Sequence, residues 1–311
     1  MWVATAVLVG LAFWQFSVQR LSTPTSTGAP GRAVSGSTVA TTPPPPPMSP
    51  APRLSGGPPT VWKGEEAFRL YERANNLMDV VAQLESAAKA GDASAQSAYA
   101  RALGECALLS VDPSYLLNVP AFNRELKANG RTTIPDEVTK RYESRCSQFA
   151  ASKKITTGEI NALERSAESG GEPRAVAADF VRLAPGLKAD EKKDELLAIL
   201  QTGNPYAIGE LAELMGRPQD GQGVGKFAGA KEYEYAWRFV ACDLGMDCSN
   251  NSYLVVRSCL VGMTCGSGDY RAIVQNAELS PAAYQRVLEI ERQILFGLKT
   301  GDQLESVFFG N

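Results

Sequence analysis

Six cysteines are the residues of this sequence whose spacing points most clearly to a chemistry. Four of them form a near duplicate, CDLGMDC at Cys242 to Cys248 and CLVGMTC at Cys259 to Cys265, and the other two are Cys106 and Cys146. An even number of cysteines behind an apolar N-terminal segment is typical of disulfides formed in an oxidising compartment. We therefore expect all six to be structural disulfide cysteines.

The turn chemistry of the duplicated motif indicates how these cysteines pair. Gly245 and Gly262 are well placed to be left-handed residues at which a helix ends and the chain reverses. Such a reversal returns the second cysteine of each motif to the last helical turn, within reach of the first. We expect the pairs Cys242–Cys248 and Cys259–Cys265, which leaves Cys106–Cys146.

Three alternatives for the cysteines stay open at this point. A structural zinc site favours C-x2-C spacing, whereas the motifs here are C-x5-C and have no histidine beside them. A redox site would normally show C-x-x-C. The third alternative is that the cysteines are free and buried in the core of a cytosolic protein.

The absence of histidine from the chain excludes many enzyme classes. Histidine is the usual proton shuttle near neutral pH and the commonest ligand of zinc. Without it there is no Ser-His-Asp triad and no HExxH helix. We expect no cofactor and no metal site, and the sequence singles out no catalytic residue.

One enzymatic alternative needs no histidine, namely cleavage of peptidoglycan with a glutamate as general acid. The candidate glutamates are Glu105, Glu159, Glu210 and Glu234, although no surrounding motif selects one of them. Aromatic residues next to the last candidate could line a groove, but aromatic runs at this spacing more often form core; they are Tyr233, Tyr235 and Trp237.

Composition sets the fold class and argues against one group of partners. Alanine and leucine dominate the apolar residues, which favours helices over sheet. Lysine and arginine number 31 against 34 aspartates and glutamates, a net charge of -3. Because binding to nucleic acid depends on a positive field, we expect no nucleic-acid partner.

The chain divides into three regions by composition. Residues 1–19 carry no charge and, as a helix, would extend about 28 Å, close to the hydrocarbon thickness of a bilayer. We expect a transmembrane anchor, with a cleaved signal peptide and a buried core helix as alternatives. Residues 20–60 are rich in Pro, Ser, Thr and Gly and are expected to be a disordered linker. Residues 61–311 form the predicted helical domain.

Three stretches of the domain share a helix, a glycine turn and a helix of small residues. They run from Leu84 to Leu103, Leu163 to Leu183 and Leu196 to Met215. Gly91, Gly170 and Gly203 are suited to end the first helix, and Asp92, Glu172 and Asn204 are suited to cap the second. The pattern predicts antiparallel helix hairpins, packed as a short irregular array. Two more helix starts are predicted, at Thr156 with Glu159 and at Ser280 with Pro281.

The stretch AAKAGDASAQSAYARAL resembles the Sel1-like branch of the tetratricopeptide-type repeats. That resemblance implies helix-turn-helix packing and, by family habit, protein binding. The tail with its duplicated cysteine motif is similar to uncharacterised envelope proteins of Gram-negative bacteria, which supports a location rather than an activity.

Two signals disagree on the side of the membrane where the domain lies. Arg20 and Arg32 follow the apolar segment and favour the cytoplasm, whereas the cysteines favour an oxidising compartment. Because long domains translocate despite a few nearby charges, we follow the cysteines. The expectation is a single-pass protein of the bacterial inner membrane, with a periplasmic all-α domain that binds a protein partner or serves assembly.

Overall fold

The computed structural model describes residues 65–130, 132–217, 224–260, 265–301 and 303–310, and every regular element in these ranges is helical. The all-α prediction is confirmed for this part of the chain. None of the helices described there has the length and apolar character needed to cross a bilayer. The expected anchor at 1–19 and the expected linker at 20–60 lie outside the described residues.

The described residues of the first half of the domain form seven α-helices, which we number in chain order. They are α1 (Glu66–Arg73), α2 (Met78–Lys89), α3 (Ala93–Val111), α4 (Tyr115–Ala128), α5 (Asp136–Ser152), α6 (Thr157–Ser169) and α7 (Pro173–Leu183).

The described residues of the second half continue in the same way after a short 3-10 turn at Ala184–Gly186. The helices are α8 (Ala189–Gln201), α9 (Pro205–Gly216), α10 (Lys231–Asp243), α11 (Tyr253–Leu260), α12 (Tyr270–Ile273), α13 (Pro281–Thr300) and α14 (Leu304–Phe309), with a π-helical segment at Val274–Glu278 after α12.

The hairpins α2–α3 and α6–α7 share one turn geometry. In the first, Gly91 has φ +90°, its N–H donates to Ala88 O, and the Asp92 N–H donates to Ala87 O. These two bonds satisfy carbonyls that a helix end leaves unpaired. The Asp92 carboxylate then accepts from Ala95 N at 2.8 Å and so caps α3.

The second of these turns ends its helix at the expected glycine, but the left-handed residue comes one position later. Gly170 ends α6 but has a right-handed backbone, and the left-handed residue is Gly171 at φ +75°. Gly171 is the equivalent of Gly91, since its N–H bonds Glu168 O and the following Glu172 N–H bonds Ala167 O. Gly170 serves close packing instead, because a Cβ there would lie 2.7 Å from the Ala93 Cβ.

The remaining predicted caps are present. The α8–α9 turn has Gly203 at φ +61°, and Asn204 accepts from Tyr206 N and Ala207 N. Glu172 caps α7 through its side chain.

The two further predicted helix starts are also present. Thr156 caps α6 by accepting from Glu159 N at 3.2 Å, and Ser280 caps α13, which ends at Gly301.

Helix packing joins both consecutive helices and helices further apart along the chain. Helix α3 packs against four others, namely α1, α2, α5 and α6. Helix α7 packs against α9, α9 against α10, and α10 against α13. The buried residues form two clusters. One is built mainly from α1 to α5 and takes in Tyr206 and part of α11; the other extends from α7 to α14.

Three disulfides fasten this arrangement, and they are the pairs expected from the sequence. Cys106 of α3 is bonded to Cys146 of α5, with a Cα–Cα distance of 5.2 Å. Cys242 is bonded to Cys248 across the turn at Gly245, which has φ +115°. Cys259 is bonded to Cys265; Gly262, between them, lies outside the described residues.

Candidate functional site

Glu105 is a buried structural anchor at the junction of α1, α3 and α5. Its Oε1 accepts from Arg145 Nε at 2.7 Å and its Oε2 accepts from the Tyr71 hydroxyl at 2.7 Å. Arg145 also donates to the main-chain oxygens of Tyr71 and Ala74. Both carboxylate oxygens are thus committed to internal donors, and neither faces an open site.

Glu210 lies between two arginines from neighbouring helices. Its Oε1 accepts from Arg101 at 2.8 Å and from Arg174 at 3.1 Å, while Arg174 also binds Glu164 and the Ser97 hydroxyl. Burial alone would raise the pKa of Glu210, but the two arginines outweigh it and lower the pKa to about 2. The network joins α3, α6, α7 and α9.

The other two candidate glutamates are also ion-paired. Glu159 accepts from Lys153 at 2.6 Å, and the buried Glu234 accepts from Lys231 at 2.6 Å and from Arg238 at 3.0 Å. The four candidates therefore lie in four separate ion-pair groups, and the structure does not bring them together.

The aromatic run beside Glu234 forms core rather than a groove. Trp237 is fully buried and donates from Nε1 to Phe227 O at 2.9 Å, and Tyr235 is also buried. Tyr233 is partly buried and packs on the same cluster.

Glu72 is the carboxyl that reasoning from the sequence missed. It lies on α1 and accepts from the Tyr206 hydroxyl of α9 at 2.7 Å. Burial raises its pKa to about 7, against the opposing effect of the tyrosine hydrogen bond. No local signal marks this glutamate, because its surroundings are created by helices far apart in the sequence.

Two concave sites stand out among the described residues. One, of about 510 Å³, lies at the Cys242–Cys248 loop, beside Met246 and Arg271. The Arg271 guanidinium there is already bonded to Glu291 and Asp243.

The other site is a groove of about 580 Å³ formed by α6, α7 and α8, which we call the α6–α8 groove. Its apolar lining comes from α7 and from the turn that follows: Val176, Phe180, Leu183 and Leu187. Leu183 is 43% exposed, whereas Phe180 is buried in the core. The volume of the groove falls within the range of ligand-binding clefts, and its lining is partly apolar as in such clefts.

Five carboxylates surround that apolar lining. They are Glu168 of α6, Asp179 of α7, and Glu191, Asp194 and Glu195 of α8. Asp179 is paired with Arg182, but in the described part of the chain no lysine or arginine forms an ion pair with the other four. Lys193, which is adjacent to Asp194 in the sequence, forms its ion pair with Glu305, and its electrostatic interaction with Asp194 is weaker.

Within the described ranges, no group of three or more His, Cys, Asp or Glu side chains is arranged to hold a metal ion. No protein-family model matches the sequence, and comparisons with curated proteins and with solved structures also gave no match. The assignment of a site therefore rests on geometry and chemistry, and of the two concave sites the α6–α8 groove combines exposed apolar surface with unpaired charge.

Proposed function

We propose that this chain is a membrane-anchored envelope protein whose periplasmic helical domain binds another protein. The observation that carries the proposal is the α6–α8 groove, where the half-exposed Leu183 lies among five carboxylates, four of which form no ion pair with a lysine or arginine of the described chain. Exposed apolar surface rimmed by polar residues is typical of protein-interaction sites. Anchoring through residues 1–19 is part of the proposal and comes from the sequence.

The three disulfides support the proposed compartment. All six cysteines of the chain are paired, and disulfides persist in oxidising compartments such as the bacterial periplasm. The turn geometry shared by α2–α3 and α6–α7 supports a repeat-like array of the Sel1 or tetratricopeptide type, a class of architecture that offers extended surfaces for binding.

The peptidoglycan-cleaving alternative gains no support from the four candidate glutamates. A general acid needs a proton near neutral pH, and a carboxylate held between arginines, as Glu210 is, gives that proton up. The other three candidates are each engaged in an ion pair with a lysine or an arginine, and none of them lines either of the two concave sites.

Site-specific photo-crosslinking of the full-length protein in cells tests the binding function. A photoreactive residue would replace Leu183 in the groove or, as a control, Leu117 on α4, which is 80% exposed. We expect a discrete adduct of higher mass from position 183 and none of the same mass from position 117. Equal adducts from both positions, or none from either, would contradict the proposal. An adduct of twice the chain's own mass would indicate self-association instead.

Thiol labelling of whole cells tests the compartment. We expect no labelling of the native protein by a maleimide that crosses both membranes, and labelling of all six cysteines after reduction and unfolding. Cysteines that react without reductant would place the domain in the cytoplasm and contradict the proposed location.

A further inference from the structure

We infer that the occupant of the α6–α8 groove is a cationic segment of the partner protein that presents an apolar face. This inference rests on the proposed binding function and specifies the chemistry of the partner. The juxtaposition behind it is an apolar strip on α7 with unpaired carboxylates on the helices at either side.

The apolar strip follows one face of α7. Val176, Phe180 and Leu183 are spaced by four and three residues, which places them on the same side of the helix. The strip is about 10 Å long, since each helical residue adds 1.5 Å. That length accommodates about two turns of a partner helix, or a short extended segment.

The carboxylates flank this strip from both sides. Glu168 comes from α6, and Asp194 and Glu195 come from the second turn of α8. The remaining two of the five carboxylates have other roles. Glu191 caps the start of α8 by accepting a hydrogen bond from the main-chain N–H of Lys188 at 2.9 Å, and Asp179 is paired with Arg182. Glu168, Asp194 and Glu195 form no ion pair with a lysine or arginine of the described chain. They also lie beyond the first turn of their helices, where a carboxylate gains little from the helix dipole.

Carboxylates on an exposed helix face are ordinarily just solvated. Here they surround a cavity whose most accessible apolar side chain is Leu183. Like charges gathered around one cleft raise the local concentration of oppositely charged ligands and favour their docking. A segment with Lys or Arg beside apolar anchors satisfies both parts of the groove, whereas an acidic segment or a nucleic-acid backbone would be repelled.

A pair of designed peptides tests the charge requirement. Each would be a labelled amphipathic helix of four turns with leucines at i, i+4 and i+7; one would carry lysines on its flanks and the other glutamates. Binding would be measured by fluorescence anisotropy to the full-length protein in zwitterionic nanodiscs, with empty nanodiscs subtracted. We expect only the lysine peptide to bind, with an affinity that falls about tenfold as salt rises from low to physiological strength.

Charge-neutralising variants locate the binding. Asp194→Asn with Glu195→Gln removes two rim charges, and Glu137→Gln with Glu143→Gln removes two exposed charges from α5 as a matched control. We expect lysine-peptide affinity to fall about five- to tenfold in the groove variant and to stay within twofold in the control. Leu183→Ser, which changes only the apolar strip, should weaken binding as well.

Two outcomes overturn the inference, and both are separable from failure of the proposed function. Equal binding of the two peptides, or equal effects of the two pairs of variants, would remove the cationic requirement. If position 183 still crosslinks to a partner in cells, protein binding stands and only the chemistry of the partner is wrong. Absence of both peptide binding and crosslinking contradicts both proposals.

Discussion

Glu72 and Glu210 show how neighbours decide the charge of a glutamate. Both lie between helices, and burial by itself would raise the pKa of each. Glu210 has Arg101 and Arg174 within hydrogen-bond distance and reaches a pKa of about 2. Glu72 has a tyrosine hydroxyl in that place, and its pKa rises to about 7. Glu210 is therefore ionised at every physiological pH, whereas Glu72 changes charge near neutrality.

The raised pKa of Glu72 predicts a pH dependence of stability. The folded protein holds the proton up to about pH 7, while a carboxyl in the unfolded chain releases it near 4.5. The favourable contribution of the protonated group is therefore fully present below pH 4.5 and is lost as pH rises through 7. Between pH 5 and pH 8 the wild type should lose about 2 kcal/mol relative to Glu72→Gln, measured by urea unfolding.

Tyr206→Phe provides the companion variant for this prediction. It removes the hydroxyl that favours the ionised carboxylate, so the pKa of Glu72 should rise further and the loss of stability should move to higher pH. Identical pH profiles for the wild type and Glu72→Gln would contradict the assignment.

The buried Glu105–Arg145 pair should be costly to break. Glu105→Ala leaves the guanidinium of Arg145, which is 3% exposed, without its carboxylate, and we expect a loss of about 3–5 kcal/mol in the free energy of unfolding. The control is Glu289→Ala, whose partner Arg292 is 70% exposed, with an expected loss below about 0.5 kcal/mol. Similar losses in chemical denaturation would show that Arg145 finds solvent or another acceptor.

At the scale of the helices, the glycine turns can be tested without steric complications. Gly91 has φ +90° and no atom close to the position of an added Cβ, so Gly91→Ala should cost about 1–2 kcal/mol through backbone strain alone. Gly104 lies within α3 with equally open space around it, and Gly104→Ala should raise stability by about 0.5–1 kcal/mol. The stability of both variants would be compared with that of the wild type by thermal unfolding. A stabilising effect of Gly91→Ala would contradict the turn geometry.

The features that the sequence predicted at this scale depend on neighbours along the chain. Asp92, Glu172 and Asn204 cap helices that begin one residue later, and the Cys242–Cys248 loop closes across a single glycine turn. The one-residue difference between Gly170 and Gly171 arises because either glycine can take the left-handed position. By contrast, the α6–α8 groove is assembled from three helices, and no local pattern encodes which side chains meet there.

Over the whole described domain, the disulfides differ in how much of the chain they constrain. Cys106–Cys146 closes a loop with a sequence separation of 40, and Cys242–Cys248 one with a separation of 6. In the chain-entropy account, replacing both cysteines by alanine should cost about 4 kcal/mol for the first pair and about 2 kcal/mol for the second. Equal losses of unfolding free energy for the two pairs would show that strain or local packing governs the effect.

The proposed binding function is tested most directly by identifying the peptide that crosslinks to position 183 in cells. Mass spectrometry of the digested adduct would give the sequence of the segment that occupies the groove. The proposals predict a segment of a different protein, with lysine or arginine residues beside apolar ones, and loss of the adduct in Asp194→Asn with Glu195→Gln. An acidic segment, a segment of this same chain, or an adduct that survives the two substitutions would contradict them.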